Sequence, residues 1–139
     1  MFITNSEEET KKVARKFARK LKKGDVVFLE GPLGAGKTVF VKGVLEGLGF
    51  KKDAARSPSF TLVREYKDRK HTVFHMDLYR IQCPEELIQL GYEDYLYAPG
   101  GITLVEWAEK IEGAVSQYIK VMFAYRGFEK RCISIVKKN

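Results

Sequence analysis

The sequence has few cysteines and no long apolar run, and both absences exclude whole classes of protein. Cys83 and Cys132 are its two cysteines and form no Cys-x-x-Cys pair, so a disulfide framework and a zinc site are both unexpected. No stretch approaches the roughly 20 apolar residues of a membrane helix. The segment from Met1 to Glu9 contains no apolar core of a secretion signal. We therefore expect a cytoplasmic chain with reduced thiols and no membrane partner.

Length and charge limit the architecture further. With 139 residues, of which 45% are hydrophobic, the chain can bury one core, and we predict a single domain over residues 1–139. A formal net charge of +7 makes a polyanionic partner plausible, because clustered cations attract phosphate backbones. Because no nucleic-acid-binding module accompanies it, we favour the interpretation that this charge is the solvated face of a predicted first helix. Its basic residues are Lys11, Lys12, Arg15, Lys16, Arg19, Lys20, Lys22 and Lys23.

One glycine-rich segment, residues 31–38, carries the strongest functional signal; we call it the glycine loop. It reads Gly-Pro-Leu-Gly-Ala-Gly-Lys-Thr and matches the phosphate-binding loop pattern, with the apolar run Val26–Leu29 before it and helical spacing after it. Its glycines let successive N–H groups turn towards phosphate oxygens, and the helix N-terminus adds its dipole. In this motif Lys37 spans the terminal phosphates and the Thr38 hydroxyl binds magnesium.

Turn residues and apolar periodicity divide the rest of the chain into helices and strands. A first helix begins after Ser6, which forms a capping box with Glu9, and closes at Gly24. After the glycine loop we predict a helix ending near Gly49 and a hairpin of strands at 60–66 and 72–78. Two helices follow, from Pro84 to Gly91 and over 92–97, and then a strand at 102–105. The last two strands, at 119–125 and 131–136, are connected by a turn at Arg126 and Gly127. We predict an α/β fold of the P-loop NTPase type, whose mixed sheet is flanked by helices.

Two acidic residues at predicted strand ends are candidates for handling a metal. Glu106 ends a strand that we expect to lie parallel to the strand before the glycine loop, which would bring its carboxylate beside Thr38. Glu106 is therefore the preferred metal ligand. Asp77 ends a strand expected to be antiparallel, so it is harder to place and would act from farther away or orient a water. His75 could act as a catalytic base, but we interpret it as a residue that is structural or that supports a ligand without touching the metal. Trp107 is interpreted as a packing residue.

Four further segments follow the glycine loop in a characteristic order: Ser57–Val63, His75–Arg80, Pro84–Leu87 and Val105–Trp107. Together with the loop they resemble the bacterial TsaE family, formerly called YjeE. The resemblance implies an ATPase needed to form N6-threonylcarbamoyladenosine beside the anticodon of tRNAs that read codons beginning with A. It also implies ATP and Mg²⁺ as cofactors, and docking on the TsaB–TsaD transferase pair, through which the tRNA would be reached.

By position, the resemblance assigns roles to individual residues. The segment in contact with phosphate comprises Leu33, Gly34, Ala35, Gly36, Lys37, Thr38 and Val39. Thr38 and Glu106 correspond to the magnesium ligands. Lys37, Asp77 and Glu106 are the expected catalytic residues. Ser59 departs from the threonine usual in the family; it keeps the hydroxyl but loses the β-methyl that stiffens the side chain.

The resemblance also places the nucleobase, between the segment around Glu7 and the strand near Arg131. A catalytic arginine is less clear. Arg56, Arg64 and Arg80 are candidates within the chain. Because none is unambiguous, we expect hydrolysis to be weak without partners.

Two other functions stay open on the sequence. A small-molecule kinase would share the glycine loop and strand order, although the chain has no arginine-rich insertion typical of a kinase lid. A nucleotide-gated tRNA-binding protein would contact RNA through the basic first helix. The glycine loop itself does not distinguish adenine from guanine, because it contacts phosphates.

Overall fold

A mixed β-sheet organises the chain. The computed structural model describes residues 1–32, 34–51, 63–96, 98–111, 113 and 115–138. The described strands are β1 (Phe2–Thr4), β2 (Val26–Glu30), β3 (Val63–Lys67), β4 (Thr72–Asp77), β5 (Gly101–Glu106), β6 (Tyr118–Gly127) and β7 (Lys130–Lys138). The described helices are α1 (Glu7–Ala18), α2 (Lys37–Gly47), α3 (Pro84–Leu90) and α4 (Tyr92–Leu96), with a short 3₁₀ helix at Ala108–Lys110.

The sheet places four parallel strands side by side. Its order is β1-β7-β6-β2-β5-β4-β3. β2 is parallel to both β5 and β6, and β4 is parallel to β5. The pairs β3–β4, β6–β7 and β1–β7 are antiparallel. The predicted mixed sheet, parallel around the glycine loop and antiparallel at the hairpins, is therefore confirmed. As a result, the carboxyl ends of β2, β4, β5 and β6 meet at one edge.

Helices cover both faces of the central strands, so two apolar layers form. Helices α1 and α2 pack on one face, where Val27 and Leu29 of β2 are fully buried. The other face, with Val26 and Phe28, packs against α3, α4 and the 3₁₀ helix. A strand buried on both faces has to be apolar at every position, which explains the continuous run in β2.

Two glycines of α2 allow α1 to approach it closely. A Cβ on Gly43 would lie 2.8 Å from the Lys11 carbonyl oxygen, and one on Gly47 would lie 2.7 Å from that of Arg15. Both contacts advance by four residues in the same direction, so the two helices run parallel. The first turn of α1 is thereby held beside the start of α2, at the edge where the strands end.

The first helix begins as predicted but ends earlier. The Ser6 Oγ accepts a hydrogen bond from the Glu9 backbone N–H at 3.1 Å, which confirms the N-cap. The predicted end at Gly24 is wrong, because α1 stops at Ala18 and the chain then forms turns in which the Lys20 and Leu21 N–H groups bind carbonyls three residues back. The later basic residues of this region therefore lie outside the helix.

Other differences come from long-range pairing. β1 was not predicted, because its three residues gain order only by pairing with β7. The turn at Arg126 and Gly127 is misplaced: β6 extends to Gly127, and the chain reverses before Lys130, with Glu129 at φ 61°. The predicted strand residues 60–62 and Tyr97 lie outside the described residues. Across the described part of the chain, we find no helix with the length and apolar character to span a membrane.

Candidate functional site

The carboxyl ends of β2, β4 and β5 bring the predicted acids together. In the sheet register Leu29 pairs with Glu106, and Glu106 pairs with Asp77. β4 is antiparallel to β3, as expected, but it is also parallel to β5. We expected Asp77 to lie farther from the metal site than Glu106 because we considered only the pairing of β4 with β3. The pairing with β5 places Asp77 directly beside Glu106. Asp77 and Glu106 therefore end neighbouring strands and share one face of the sheet.

The glycine loop connects β2 to α2 in a backbone shape that requires glycine. Gly36 is the N-cap of α2 and has φ 104°, a conformation that side chains with a Cβ rarely adopt. At Gly31 a Cβ would lie 2.8 Å from the Phe123 carbonyl oxygen, so the loop entrance packs directly on β6. Because Gly36 provides no side chain to cap α2, the first N–H groups of that helix remain for an external acceptor.

Lys37 is the buried cation of the site. It is 5% exposed, and its Nζ donates a hydrogen bond to the Gly31 carbonyl at 2.7 Å. The same Nζ lies 4.0 Å from the centre of the Trp107 ring, within cation–π range. Burial lowers the pKa of the Lys37 ammonium, while the Glu106 carboxylate acts in the opposite direction. The ammonium is thus held inside the loop, poorly hydrated and close to the acidic strand ends.

Glu106 is held by a buried histidine. Its Oε2 lies 2.6 Å from the His75 Nε2, and the two residues are 4% and 0% exposed. His75 is too buried to contact a substrate directly. Its other ring nitrogen, Nδ1, has no hydrogen-bond partner among the described residues. The interaction fixes the orientation of the Glu106 carboxylate at the strand end.

A cleft of about 360 Å³ opens above these residues. Its walls are the glycine loop with the start of α2, the strand ends, the first turn of α1 and the β6–β7 hairpin. The lining residues are Ser6, Glu7, Thr10, Gly34, Gly36, Lys37, Thr38, Val39, Asp77, Tyr79, Glu106, Trp107, Glu129 and Arg131. Four acidic side chains and two basic ones line the cleft together with the glycine loop. Lys37, Asp77 and Glu106 lie where the loop meets the strand ends, an arrangement that suits a phosphate chain together with a cation.

Comparison with known proteins identifies the family. The family model described as Threonylcarbamoyl adenosine biosynthesis protein TsaE matches residues 4–133. The chain belongs to the TsaE family. It is 40% identical over 140 residues to the tRNA threonylcarbamoyladenosine biosynthesis protein TsaE of Rickettsia felis. The alignment covers 100% of this chain and 81% of that protein.

Further relatives support the same membership. The Bacillus subtilis protein of the same description is 42% identical over 132 residues, covering 94% of this chain and 81% of that protein. The crystal structure of Bacillus subtilis YdiB matches with a TM-score of 0.81 and 36% identity over 99% of this chain and 84% of that one. The resemblance predicted from the sequence is confirmed, and with it a family role in tRNA threonylcarbamoyladenosine biosynthesis.

The structure brings most of the residues assigned by TsaE resemblance into the cleft. Gly34, Gly36, Thr38 and Val39 line it beside Lys37. Ala35 is fully buried beneath them rather than lining the cleft, so its side chain is not accessible to a ligand. The assignment of Leu33 falls outside the described residues, as does that of Ser59.

The two segments that the TsaE resemblance places beside the nucleobase both line the cleft. Glu7 lies on α1 and Arg131 on β7. The Arg131 Nη2 donates to the Gly34 carbonyl at 3.3 Å, and its guanidinium lies 4.5 Å from the centre of the Tyr125 ring. Arg131 was not among the candidate catalytic arginines. Arg64 and Arg80 do not line the cleft, and Arg56 is outside the described residues.

Asp77 is a partly buried acid with competing neighbours. Its pKa is raised, first because burial disfavours the carboxylate and then because Glu106 adds negative charge. The Tyr79 backbone N–H donates to its Oδ1 at 3.0 Å and, with Lys37, opposes the shift. A cation placed between the two carboxylates would relieve their repulsion.

Trp107 has a larger part in the site than sequence reasoning gave it. Its backbone is left-handed, with φ 60° and ψ 42°, immediately after β5. Besides contacting Lys37, its ring lies 5.0 Å from that of Tyr79. Lys110 supports this pair, since its Nζ donates to the Tyr79 carbonyl at 2.9 Å and to the Ile81 carbonyl. The sequence signal for this role of Trp107 was its position directly after Glu106.

Proposed function

We propose that this TsaE-family chain binds ATP with Mg²⁺ in the cleft and hydrolyses the terminal phosphate in support of a TsaB–TsaD transferase pair. The convergence of Lys37, Asp77 and Glu106 on the glycine loop carries the proposal. The family role in forming threonylcarbamoyladenosine on tRNA supplies its biological setting and favours a cytoplasmic location.

The residues divide the chemistry between binding, charge neutralisation and positioning. The N–H groups of the glycine loop and of the α2 N-terminus would donate hydrogen bonds to the phosphate oxygens, and Lys37 would neutralise the terminal phosphates. Asp77, whose pKa is raised by burial, would orient the attacking water and accept the proton that this water loses. The Trp107 ring would keep the Lys37 side chain directed into the loop.

The donor set fits Mg²⁺. Thr38 and Glu106 would hold the ion, and both supply the hard oxygen ligands that magnesium prefers. Among the described residues no group of three histidine, cysteine or acidic side chains forms a metal site by itself. This fits an ion that takes its remaining ligands from phosphate and water. When bound, the ion would neutralise charge on the phosphates.

Partner dependence follows from the position of the arginines. Of the described candidates, neither Arg64 nor Arg80 lines the cleft. Arg131 does, but it contacts the Gly34 carbonyl. A group supplied in trans raises P-loop hydrolysis by about 10³- to 10⁵-fold in known cases. We therefore expect slow turnover alone and a large increase with TsaB and TsaD.

The decisive test measures nucleotide binding and turnover together. Calorimetric titration with MgATP should give a clear binding isotherm that Lys37→Ala removes, while Lys67→Ala, an exposed lysine on β3, should behave like the unmodified chain. ATP hydrolysis should then be compared with and without the transferase pair. Equal rates in the two cases would contradict the partner-dependent mechanism, and normal binding by Lys37→Ala would contradict the site itself.

A reconstituted assay tests the pathway role. The synthase and ATP would first supply threonylcarbamoyl-adenylate. TsaB, TsaD, tRNA and this chain would then be incubated with that product and with either ATP or a non-hydrolysable ATP analogue. Multiple turnovers of tRNA modification should require hydrolysable ATP. Phosphate transfer to a small metabolite instead would identify a kinase. A parallel GTP titration would define base preference.

A further inference from the structure

A second depression lies on the side of α1 that faces away from α2. It has a volume of about 1130 Å³ and lies between α1, β1 and the adjoining parts of β6 and β7. It is separated from the cleft by the first turn of α1. Thr4 lines this depression, and its hydroxyl forms a buried hydrogen bond of 2.8 Å with that of Thr10, which lines the cleft.

The lining combines an apolar floor with a basic rim; we call it the basic groove. The apolar side chains are those of Met1, Phe2, Ile3, Val13, Phe17, Leu21, Ile119 and Ile135. Phe2 and Ile3 of the edge strand β1 are 46% and 51% exposed. The rim carries Lys12, Lys16, Lys20, Lys22 and Lys137, against two acids, Glu9 and Asp25. Apolar surface and positive charge are thus both presented to solvent.

The charges of α1 differ between its two sides. Towards α2, Lys11 and Arg15 are paired with Glu46 at 3.7 and 3.1 Å. On the groove side, none of the five rim lysines forms an ion pair with any residue that the structure describes. Of the two acids, Asp25 is already engaged, since its Oδ2 accepts the Lys22 backbone N–H at 2.8 Å. The rim is therefore complementary to negative charge.

We propose that the basic groove binds an acidic amphipathic helix of a protein partner. An α-helix with its side chains is about 10–12 Å wide and can place one apolar face on the floor while its carboxylates meet the lysines. A planar anionic bilayer would contact the rim without reaching a concave floor. An RNA backbone would pair with the lysines and leave the apolar floor uncovered. The proposal does not depend on ATP hydrolysis in the cleft.

The test uses a designed peptide, because the natural partner is defined only by its chemistry. Its sequence has leucine at helical positions i, i+3, i+4 and i+7 and glutamate elsewhere, and a scrambled peptide of the same composition is the control. Binding to the full chain is measured by fluorescence anisotropy. The ordered peptide should bind at least about tenfold more tightly than the scrambled one, since only it presents a continuous apolar face.

Variants locate the site. Lys12→Glu combined with Lys16→Glu should weaken peptide binding by about tenfold or more, because like charges would then face each other. Phe2→Ala should also weaken it. The matched control, Lys67→Glu with Lys70→Glu on the β3–β4 hairpin at the other edge of the sheet, should leave binding unchanged. Circular dichroism melting and MgATP titration of each variant would show that the fold and the cleft are intact.

Several results would overturn the proposal. They are equal binding of ordered and scrambled peptides, no binding of the ordered peptide at millimolar concentration, or equal losses in the two double variants. Titrations with tRNA and with phosphatidylglycerol vesicles complete the comparison. If either binds through Lys12 and Lys16 while the peptide does not, the groove serves that ligand instead. The MgATP titration tests the cleft independently of the basic groove. Failure of the groove proposal is therefore distinguishable from failure of the proposed function.

Discussion

Lys37, Glu106 and His75 show how ionisable side chains tolerate burial beside the cleft. Each is at most 5% exposed. A buried charge is costly unless hydrogen bonds or an opposite charge compensate it. Here the Gly31 carbonyl and Trp107 compensate the lysine, and the histidine compensates the carboxylate. Removing one member therefore affects its partner as well.

Substitution of His75 should weaken the metal site without removing a ligand. His75→Ala leaves the Glu106 carboxylate without its 2.6 Å partner. Losing such an orienting contact typically costs about 10- to 100-fold in metal affinity. Mg²⁺ titration of ATP hydrolysis should show this shift, while ATP binding without metal changes much less. His75→Asn, which retains a donor, should recover part of the affinity, and no recovery would indicate a purely structural loss.

Asp77 gives a stability prediction with a definite sign. Because its folded pKa is raised above the ordinary value of 3.8, the folded state binds more protons than the unfolded state in the range above that value. Stability from this group therefore falls as pH rises from 3.8 through the folded pKa. Asp77→Asn removes this loss and keeps an acceptor for the Tyr79 N–H. Urea unfolding should find the variant more stable than the unmodified chain at pH 7, and equally stable below pH 3.8, while its ATP hydrolysis is lower. A stability difference between the two proteins that does not change with pH would show that it does not come from the ionisation of Asp77.

At the level of elements, local rules predicted what local interactions decide. The Ser6 cap, the strand and helix on either side of the glycine loop and the Pro84 helix start all depend on neighbouring residues, and all are confirmed. The strand β1 and the second partner of β4 depend on contacts distant in sequence. Helix α1, by contrast, ends in turns onto carbonyls only three residues back, which its apolar periodicity did not reveal. The same limit applied to Trp107, whose contact with Lys37 requires the parallel pairing of β2 and β5.

The contact between α1 and α2 gives a prediction at this scale. Gly43→Ala would place a Cβ 2.6 Å from that of Ala14, forcing the two helices apart. The gain in helix propensity, about 1 kcal/mol, is offset by overpacking of about 1–3 kcal/mol or more. Denaturant unfolding should show a net loss of stability. Gly100→Ala is the control, since its Cβ would meet no atom within 4 Å. An unchanged Gly43→Ala variant would mean that the helices separate at no cost.

For the whole molecule, the fold and the family could be predicted from the sequence because motifs and apolar periodicity agreed. The walls of the cleft could be predicted only in part. Glu7 and Arg131 were expected near the base, whereas Ser6, Thr10 and Glu129 reach the cleft through the packing of α1 on α2 and the β6–β7 hairpin. These contacts join segments from both ends of the described chain.

A ligand that touches all of these walls should stabilise the entire fold. At an ATP concentration about 100 times the dissociation constant, linkage predicts about 2.7 kcal/mol of added stability. Thermal unfolding followed by circular dichroism should show a rise in Tm with MgATP. Chelation of Mg²⁺ by EDTA should reduce the rise, and Lys37→Ala should abolish it. A rise that persists in Lys37→Ala would place the nucleotide elsewhere.

The hydrogen bond between Thr4 and Thr10 connects the two depressions of this molecule through one short stretch of chain. The first turn of α1 forms a wall of each depression. A ligand that orders this turn from one depression therefore lowers the entropic cost of binding a second ligand in the other. Nucleotide and helix would then bind cooperatively, each increasing the affinity of the chain for the other by the same factor.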